Sequence, residues 1–226
     1  MQYSVHRLQS TTGKDNKFAL DADWDRAEWR GVQPLELTHF MGERPTHFPH
    51  TQAKLLYDDE AISVIFRVED RYVRAVAEKH QDDVFLDSCV EFFFAPADDV
   101  EKAYFNLEMN CGGTILLHYQ TLPRIDPVEL TAQEIAHIEV ASTLPKIVEP
   151  EMPMPIVWTV EYRLPIRMLK KCYPSLVQPA PGVTWRANFY KCGDSTSHPH
   201  WLTWTKVEHA TPDFHIPKFF GQLVFQ

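Results

Sequence analysis

Glycine is scarce, eight residues in 226, and none of it falls in the spacing GxGxxG or in GxxxxGK followed by Ser or Thr. Loops that cradle phosphates need glycine at those offsets, so nucleotide-binding folds lose their support. Positive charge is short as well: 22 Lys and Arg stand against 31 Asp and Glu, a formal net charge of -9. No basic stripe offsets that excess, and nucleic acid is not an expected partner. No apolar run reaches the roughly 18 residues of a membrane span, so membrane insertion is excluded. The four cysteines, Cys89, Cys111, Cys172 and Cys192, lie far apart without a CxxC pair. They form neither a zinc motif nor a dense disulfide framework, and buried free thiols are expected. The opening Met-Gln-Tyr-Ser-Val-His-Arg lacks a basic segment leading into an apolar one. A cytoplasmic location is therefore expected unless a leader has been trimmed.

What is present is a period of two. Ala61–Val68 puts Ile62, Val64, Phe66 and Val68 on one face, with Ser63 and Arg67 on the other. Tyr104–Asn110, Val157–Leu164 and Trp185–Lys191 alternate in the same way, which marks half-buried antiparallel strands. Further strands are predicted at Thr51–Tyr57, Ser88–Phe94, Gly113–Tyr119, Ile135–Ser142, Trp201–Trp204 and Gly221–Phe225. Tight turns at Asp58-Asp59-Glu60 and Cys111-Gly112-Gly113 would close two hairpins. The 17 prolines punctuate the apolar runs, and Pro165 can open one short helix through about Cys172. Leu144–Pro155 reads as a long surface loop. Roughly ten short strands with turns between them predict an all-β fold, a single antiparallel sandwich of jelly-roll or immunoglobulin-like type. With no repeat and no sharp linker, residues 1–226 read as one domain.

Three polar rows stand out: Asn106/Glu108/Asn110, Thr159/Glu161/Arg163 and Arg186/Asn188/Tyr190. Placed side by side in one sheet, they would offer the amides, carboxylates and guanidinium groups that vicinal hydroxyls require. Aromatic residues make up 12% of the chain. Phe92, Phe94, Phe105, Trp158, Trp185 and Phe189 fit a core, whereas Phe85 and Phe214 fall in loop-like surroundings where a ring can stack on a ligand. Asp58, Asp59, Glu69, Asp70, Asp82, Asp83 and Asp87 cluster near strand ends, a chemistry that suits calcium without an EF-hand spacing. The pair His198 and His200 could share a metal on one strand face, but no HExxH pattern supports it.

In order along nearly the whole chain, several segments resemble the family 9 carbohydrate-binding modules. They begin with Asp21-Ala22-Asp23-Trp24 followed by Trp29, then Ala53–Asp58 and Ile62–Asp70. Phe85-Leu-Asp-Ser-Cys-Val-Glu-Phe-Phe-Phe94 resembles the family's most recognisable strand. Tyr104–Asn110 with Gly112-Gly113, Trp158–Pro165, Gly182–Tyr190, Trp204 and Asp213–Leu223 continue the pattern. The resemblance implies a non-catalytic sandwich that binds oligosaccharides of xylan or cellulose type between two aromatic rings. By position, those rings fall at Phe85 and Phe214, with Asn106, Glu108 and Asn188 as polar partners. Arg186, Tyr190, Trp204 and His215 complete the candidate set. The resemblance also implies a structural calcium ion and no required cofactor. Glu91, a strand carboxylate beside this site, needs a partner, expected to be Arg186 or calcium. The chain departs from the family in having Phe at both stacking positions, where Trp is favoured, and Asn106 where a long basic side chain is common.

Two other classes compete. A glycoside hydrolase would pair Glu108 with Glu161 or Glu91 across a cleft. A haem-binding sandwich would ligate iron through Met109 with His215 or His118.

Overall fold

Alternating side chains give each strand a wet or loop-covered face and an apolar face, and two such sheets close their apolar faces on each other. The computed structural model describes residues 1–9, 20–100 and 103–226. In chain order the strands are β1 (Gln2–Arg7), β2 (Leu35–Glu36), β3 (His39–Phe40), β4 (His50–Tyr57), β5 (Ala61–Asp70), β6 (Val73–Ala75), β7 (Cys89–Ala95) and β8 (Tyr104–Asn110). They continue as β9 (Ile115–Gln120), β10 (Val128–Glu129), β11 (Glu139–Ser142), β12 (Val148–Met152), β13 (Ile156–Pro165), β14 (Thr184–Cys192), β15 (Trp201–Thr203) and β16 (Gly221–Phe225). The helices are short: α1 (Ala27–Arg30), α2 (Ala132–Ile135) and α3 (Ile166–Cys172).

The first sheet runs β10-β9-β8-β7-β14-β16-β1 and the second β1-β4-β5-β13-β11. Strand β1 belongs to both. Its residues Gln2–Val5 lie parallel to β16, and His6 and Arg7 turn to pair in parallel with Leu56 and Tyr57 of β4. The expected antiparallel sandwich therefore carries two parallel pairings. The sequence reading had no strand at β1, whose Ser4, His6 and Arg7 interrupt any apolar run. Two other segments also differ from expectation. Ile135–Ser142 splits into α2 and β11, because Thr131 and Glu134 cap a helix reciprocally. Within the expected loop Leu144–Pro155, β12 pairs with β6. Both expected turns are present. Asp58 Oδ1 accepts the amides of Glu60 and Ala61 at 2.8 and 2.9 Å. Gly112 and Gly113 close the β8–β9 hairpin: a Cβ on Gly112 would come 2.2 Å from the Lys146 carbonyl oxygen, and Gly113 has φ of 87°.

All six aromatics expected in the core are there. Phe92 stacks on Phe189 at 4.8 Å and Phe94 on Trp185 at 5.7 Å, while Phe66 meets Phe189 across the two sheets at 6.0 Å. Each sheet is also covered on its outer side. On the second sheet, Trp29 and Val32 pack over Leu56 and Ile65. Glu161 of β13 anchors this cover: its carboxylate accepts Trp29 Nε1 at 2.9 Å, the Ala22 amide at 2.9 Å and Arg26 at 2.6 Å. On the first sheet a larger cluster, including Val84, Phe93, Tyr190, Phe214 and Phe220, covers the outer face.

One polar tie crosses the core. The buried Lys191 ammonium of β14 donates to His200 Nε2 at 2.8 Å and lies 3.5 Å from Asp70 of β5. Asp70 also receives Trp158 Nε1 at 3.0 Å and faces His47 at 2.7 Å. Burial pushes the Asp70 carboxyl up, but Lys191 and the His47 contact hold it net well below the usual range. Burial, with Lys191 beside it, lowers His200 to about 3. His200 is therefore a neutral ring whose Nδ1 donates to the His198 carbonyl at 2.9 Å. His198 instead stacks on Tyr72 at 3.7 Å, so His198 and His200 each have a structural contact of their own.

Two outcomes follow. Glu161→Ala removes the acceptor of Trp29 Nε1 and of the Ala22 amide and one of the carboxylates paired with Arg26, and should cost about 3–5 kcal/mol in urea unfolding. As the pH falls from 6.5 towards about 3, the wild type should lose Tm relative to His200→Gln, because unfolded histidine takes a proton that folded His200 refuses. The Asp70 contribution, whose folded value is depressed, persists above the unfolded carboxylate range and is lost only at lower pH. Calorimetry at stepped pH checks this, and the slope should shrink in His200→Gln.

Candidate functional site

The outer face of the first sheet is set by register. Tyr190 lies opposite Glu91, and Glu91 opposite Glu108, across β14, β7 and β8. One row along, Asn188, Phe93 and Asn106 align, and Asn106 continues to His118 on β9. On the other side, Cys89 faces Cys192 and Cys192 faces Trp201 of β15. Two of the three polar rows thus share one sheet face. The third, with Thr159, Glu161 and Arg163, belongs to β13 in the other sheet.

Loops 74–88 and 207–220 cover this face incompletely and leave a cavity of about 390 Å³. Phe85, Trp201 and Phe214 supply apolar wall, Glu91 and Glu108 lie on its floor, and Arg124, Asp194, Asp213 and His215 border it. Phe214 is 8% exposed. One ring face stacks on Tyr190 at 4.0 Å and 11°, which leaves the other side for the cavity. Tyr190 Oη also donates to the Phe214 carbonyl at 3.1 Å, fixing the loop that carries the ring. Trp201 is held by its Nε1, which donates to Asp194 at 2.9 Å.

A chain of hydrogen bonds orients the polar wall. The Arg124 amide donates to Gln120 Oε1, which fixes the amide orientation, and Gln120 Nε2 donates to Asn106 Oδ1 at 2.7 Å. Asn106 Nδ2 then donates to Glu108 Oε1 at 3.0 Å. Gln120 Nε2 also reaches His215 Nδ1 at 3.1 Å, as does the Tyr104 hydroxyl at 2.8 Å. A ring nitrogen that accepts from an amide carries no proton, so His215 is protonated on Nε2. Burial, with Arg124 nearby, lowers His215 to about 3 and keeps it neutral.

The two carboxylates are the costly groups. Glu91 is 2% and Glu108 5% exposed, and Oε2 of each lacks a hydrogen-bond partner. Burial raises Glu108 to about 7. Glu91 is pushed well above its ordinary value by burial, then by Cys192 and Glu108. Both residues border the cavity, and each keeps a buried carboxyl oxygen with no protein partner.

Of the nine candidate residues, Phe85, Asn106, Glu108, Phe214 and His215 line the cavity. The other four are brought close but do not line it. Asn188 is fully buried, with Oδ1 accepting the Thr205 amide at 2.9 Å. Arg186 donates to the carbonyls of Gly221 and Phe220 rather than to Glu91. Tyr190 lies beneath Phe214, and Trp204 packs edge-on against Phe189 in the core. Sequence reasoning missed Gln120, Arg124, Asp194 and Trp201. Gln120 and His118 were within reach, because the Cys111-Gly112-Gly113 turn sets their register against Asn106.

The Glu108–Glu161 pairing and the haem ligand set come apart, while Glu91 stays opposite Glu108. Glu161 sits in the second sheet and holds Trp29. Met109 points into the core, whereas His118 and His215 lie on the outer face, so no single iron could take a ligand from both sides of β8. Three of the carboxylates that suggested calcium hold protein partners. Asp82 accepts the amides of Glu78 and Lys79, Asp87 those of Val76 and Ala77, and Asp70 belongs to the core tie. Among the described residues, the one group of His, Cys, Asp or Glu donors able to share an ion is Cys89, Glu91 and Cys192. Two sulfurs in three donors do not fit calcium.

The family model for carbohydrate-binding family 9 matches residues 22–225, and the chain belongs to that family. The fold is similar to that of a Bacteroides uniformis protein whose proposed role is carbohydrate binding. That likeness has a TM-score of 0.86 at 25% identity and covers 100% of this chain and 99% of the other. It is also similar to a family 9 carbohydrate-binding module from Caldicellulosiruptor kristjanssonii, solved with glucose and with cellotriose. Both comparisons give a TM-score of 0.65 at 13% identity over 100% of this chain, with 96% and 94% of the other chain covered. No curated protein matches the sequence.

Because Glu108 is raised to about 7, its charged form is the costly one above that pH. Glu108→Gln retains an acceptor for Asn106 and removes the charge. Its Tm should exceed that of the wild type at pH 8 and approach it at pH 5, read by thermal unfolding at both values.

Proposed function

We propose that the cavity over the first sheet binds an oligosaccharide of glucan or xylan type, non-catalytically, by aromatic stacking combined with hydrogen bonds. The observation that carries this reading is the pair of buried carboxyl oxygens without hydrogen-bond partners, Glu91 Oε2 and Glu108 Oε2, on a floor walled by Phe85, Trp201 and Phe214. A pyranose presents hydroxyl donors at its rim and C–H groups on its faces. The first group supplies what buried acceptors lack, and the second buries apolar area on the rings. The neutral His215, protonated on Nε2, and Arg124 at the rim add donors for sugar oxygens. Family membership and the sugar-bound structures of similar fold support the same reading.

Glu91 and Glu108 face each other directly, and Cβ atoms so placed lie about 5 Å apart. That spacing favours a second reading, glycoside hydrolysis, which needs carboxyls roughly 5–10 Å apart. Titration calorimetry with glucose, cellobiose, cellotriose and xylotriose should show saturable heat. Phe214→Ala, Trp201→Ala and Phe85→Ala should each weaken binding by about 1 kcal/mol, roughly five-fold in Kd. Absence of heat with every sugar would overturn the proposal, and turnover of aryl glycosides that vanishes in Glu108→Gln would replace binding by hydrolysis.

A further inference from the structure

Cys89 and Cys192 are separated by more than a hundred positions in the chain, yet they are direct partners across β7 and β14. Glu91 stands two residues from Cys89 on the same strand face. One donor atom from each of the three lies within 4.8 Å of the others, and Cys192 Sγ is 3.1 Å from Glu91 Oε1. All three are buried, and Glu91 and Cys192 border the cavity.

We propose that Cys89, Glu91 and Cys192 form a binding site for a thiophilic metal ion of the Zn²⁺ class at the floor of the cavity. A tetrahedral zinc ion with two sulfur ligands and one oxygen ligand holds its donors about 3.3–3.8 Å apart. The observed spacing needs only small rotations of side chains already fixed by a strand ladder. The donor set is mostly sulfur, which selects zinc, cadmium or copper(I) over calcium and magnesium.

A second observation at the same point favours a cation. Glu91 Oε2 and Glu108 Oε2 are buried without partners beside the two thiols. The charged and titratable groups facing this point are nearly all acidic: Glu108 from β8, Cys192 from β14 and Asp194 beyond it. Arg124 stands at the cavity rim, and Lys191 of β14 points to the opposite face, into the core tie. A divalent ion supplies the positive charge that the protein does not. Because the cavity touches Glu91 and Cys192, it gives the ion its entry path and its open fourth position.

Binding replaces protons by metal. The ion takes the thiolates of Cys89 and Cys192 and the carboxylate of Glu91, and the protons that these three groups held pass to solvent. Because bound metal displaces protons from its ligands, affinity should rise with pH.

The test needs no sugar, so its outcome is separate from that of the function proposed above. The full chain, reduced and stripped with a chelator, is titrated with Cd²⁺ while the ultraviolet thiolate-to-metal absorbance is followed, and with Zn²⁺ against a chromophoric competitor. One equivalent should bind, with proton release, and two of the four thiols should become slow towards a thiol reagent. Cys89→Ser and Cys192→Ser should weaken Zn²⁺ binding on the order of a hundred-fold or more, and Cys172→Ser should not. Should either serine variant fail to fold, the wild-type cadmium band and Glu91→Gln still decide. Overturning results are the absence of a thiolate band at one equivalent, binding unchanged in Glu91→Gln and both serine variants, or a Cys89–Cys192 disulfide in the protein as isolated.

Discussion

Backbone hydrogen bonds between β14, β7 and β8 hold Tyr190, Glu91 and Glu108 in one row on the outer face of the first sheet. A slip of one residue in β7 would turn Glu91 into the core and bring Phe92 to the cavity. Such a slip is resisted from the inner side, where Phe92 and Phe94 interlock with Phe189, Phe105 and Trp185. The aromatic core and the polar floor are therefore two faces of a single constraint. Packing on the inside fixes which side chains line the outside.

That floor is costly to maintain. Two carboxylates buried without full hydrogen bonding oppose folding, and the surrounding structure must offset them. The offset comes from the apolar cluster around Phe93, Phe214 and Phe220 and from the inter-sheet tie of Lys191 with Asp70. The hydrogen-bond chain from Gln120 through Asn106 to Glu108 holds one carboxylate oxygen in place and leaves the other free. Fixed acceptors in a partly dry cavity are preorganised for a ligand that carries donors, because they need not shed water or rotate when it arrives.

Much of the frame was legible in the chain. Alternation gave the long strands β5, β8, β13 and β14 almost to their ends, since period two survives wherever one face is buried and the other is not. The short strands β10 and β12 left no such signal, because most of their side chains are exposed, and in β1 only Tyr3 and Val5 carry the alternation. Within the site, Asn106 and Glu108 could be read from the same alternation, and Phe85 and Phe214 from their loop surroundings. Glu161 could not be told from Glu108 by pattern. Both sit on polar strand faces, and only the fold shows that one holds Trp29 and the other borders a cavity.

The sequence alone determined an all-β sandwich, its aromatic core and the family to which it is similar, because these depend on local periodicity and on ordered motifs. Only the tertiary structure decided which polar rows share a sheet. It alone turned Asn188 and Arg186 onto backbone partners, brought Trp201 to the wall and set Cys89 beside Cys192 and Glu91. Those outcomes depend on pairing between strands far apart in the chain, and nothing in the neighbourhood of a residue records which distant strand will lie against it.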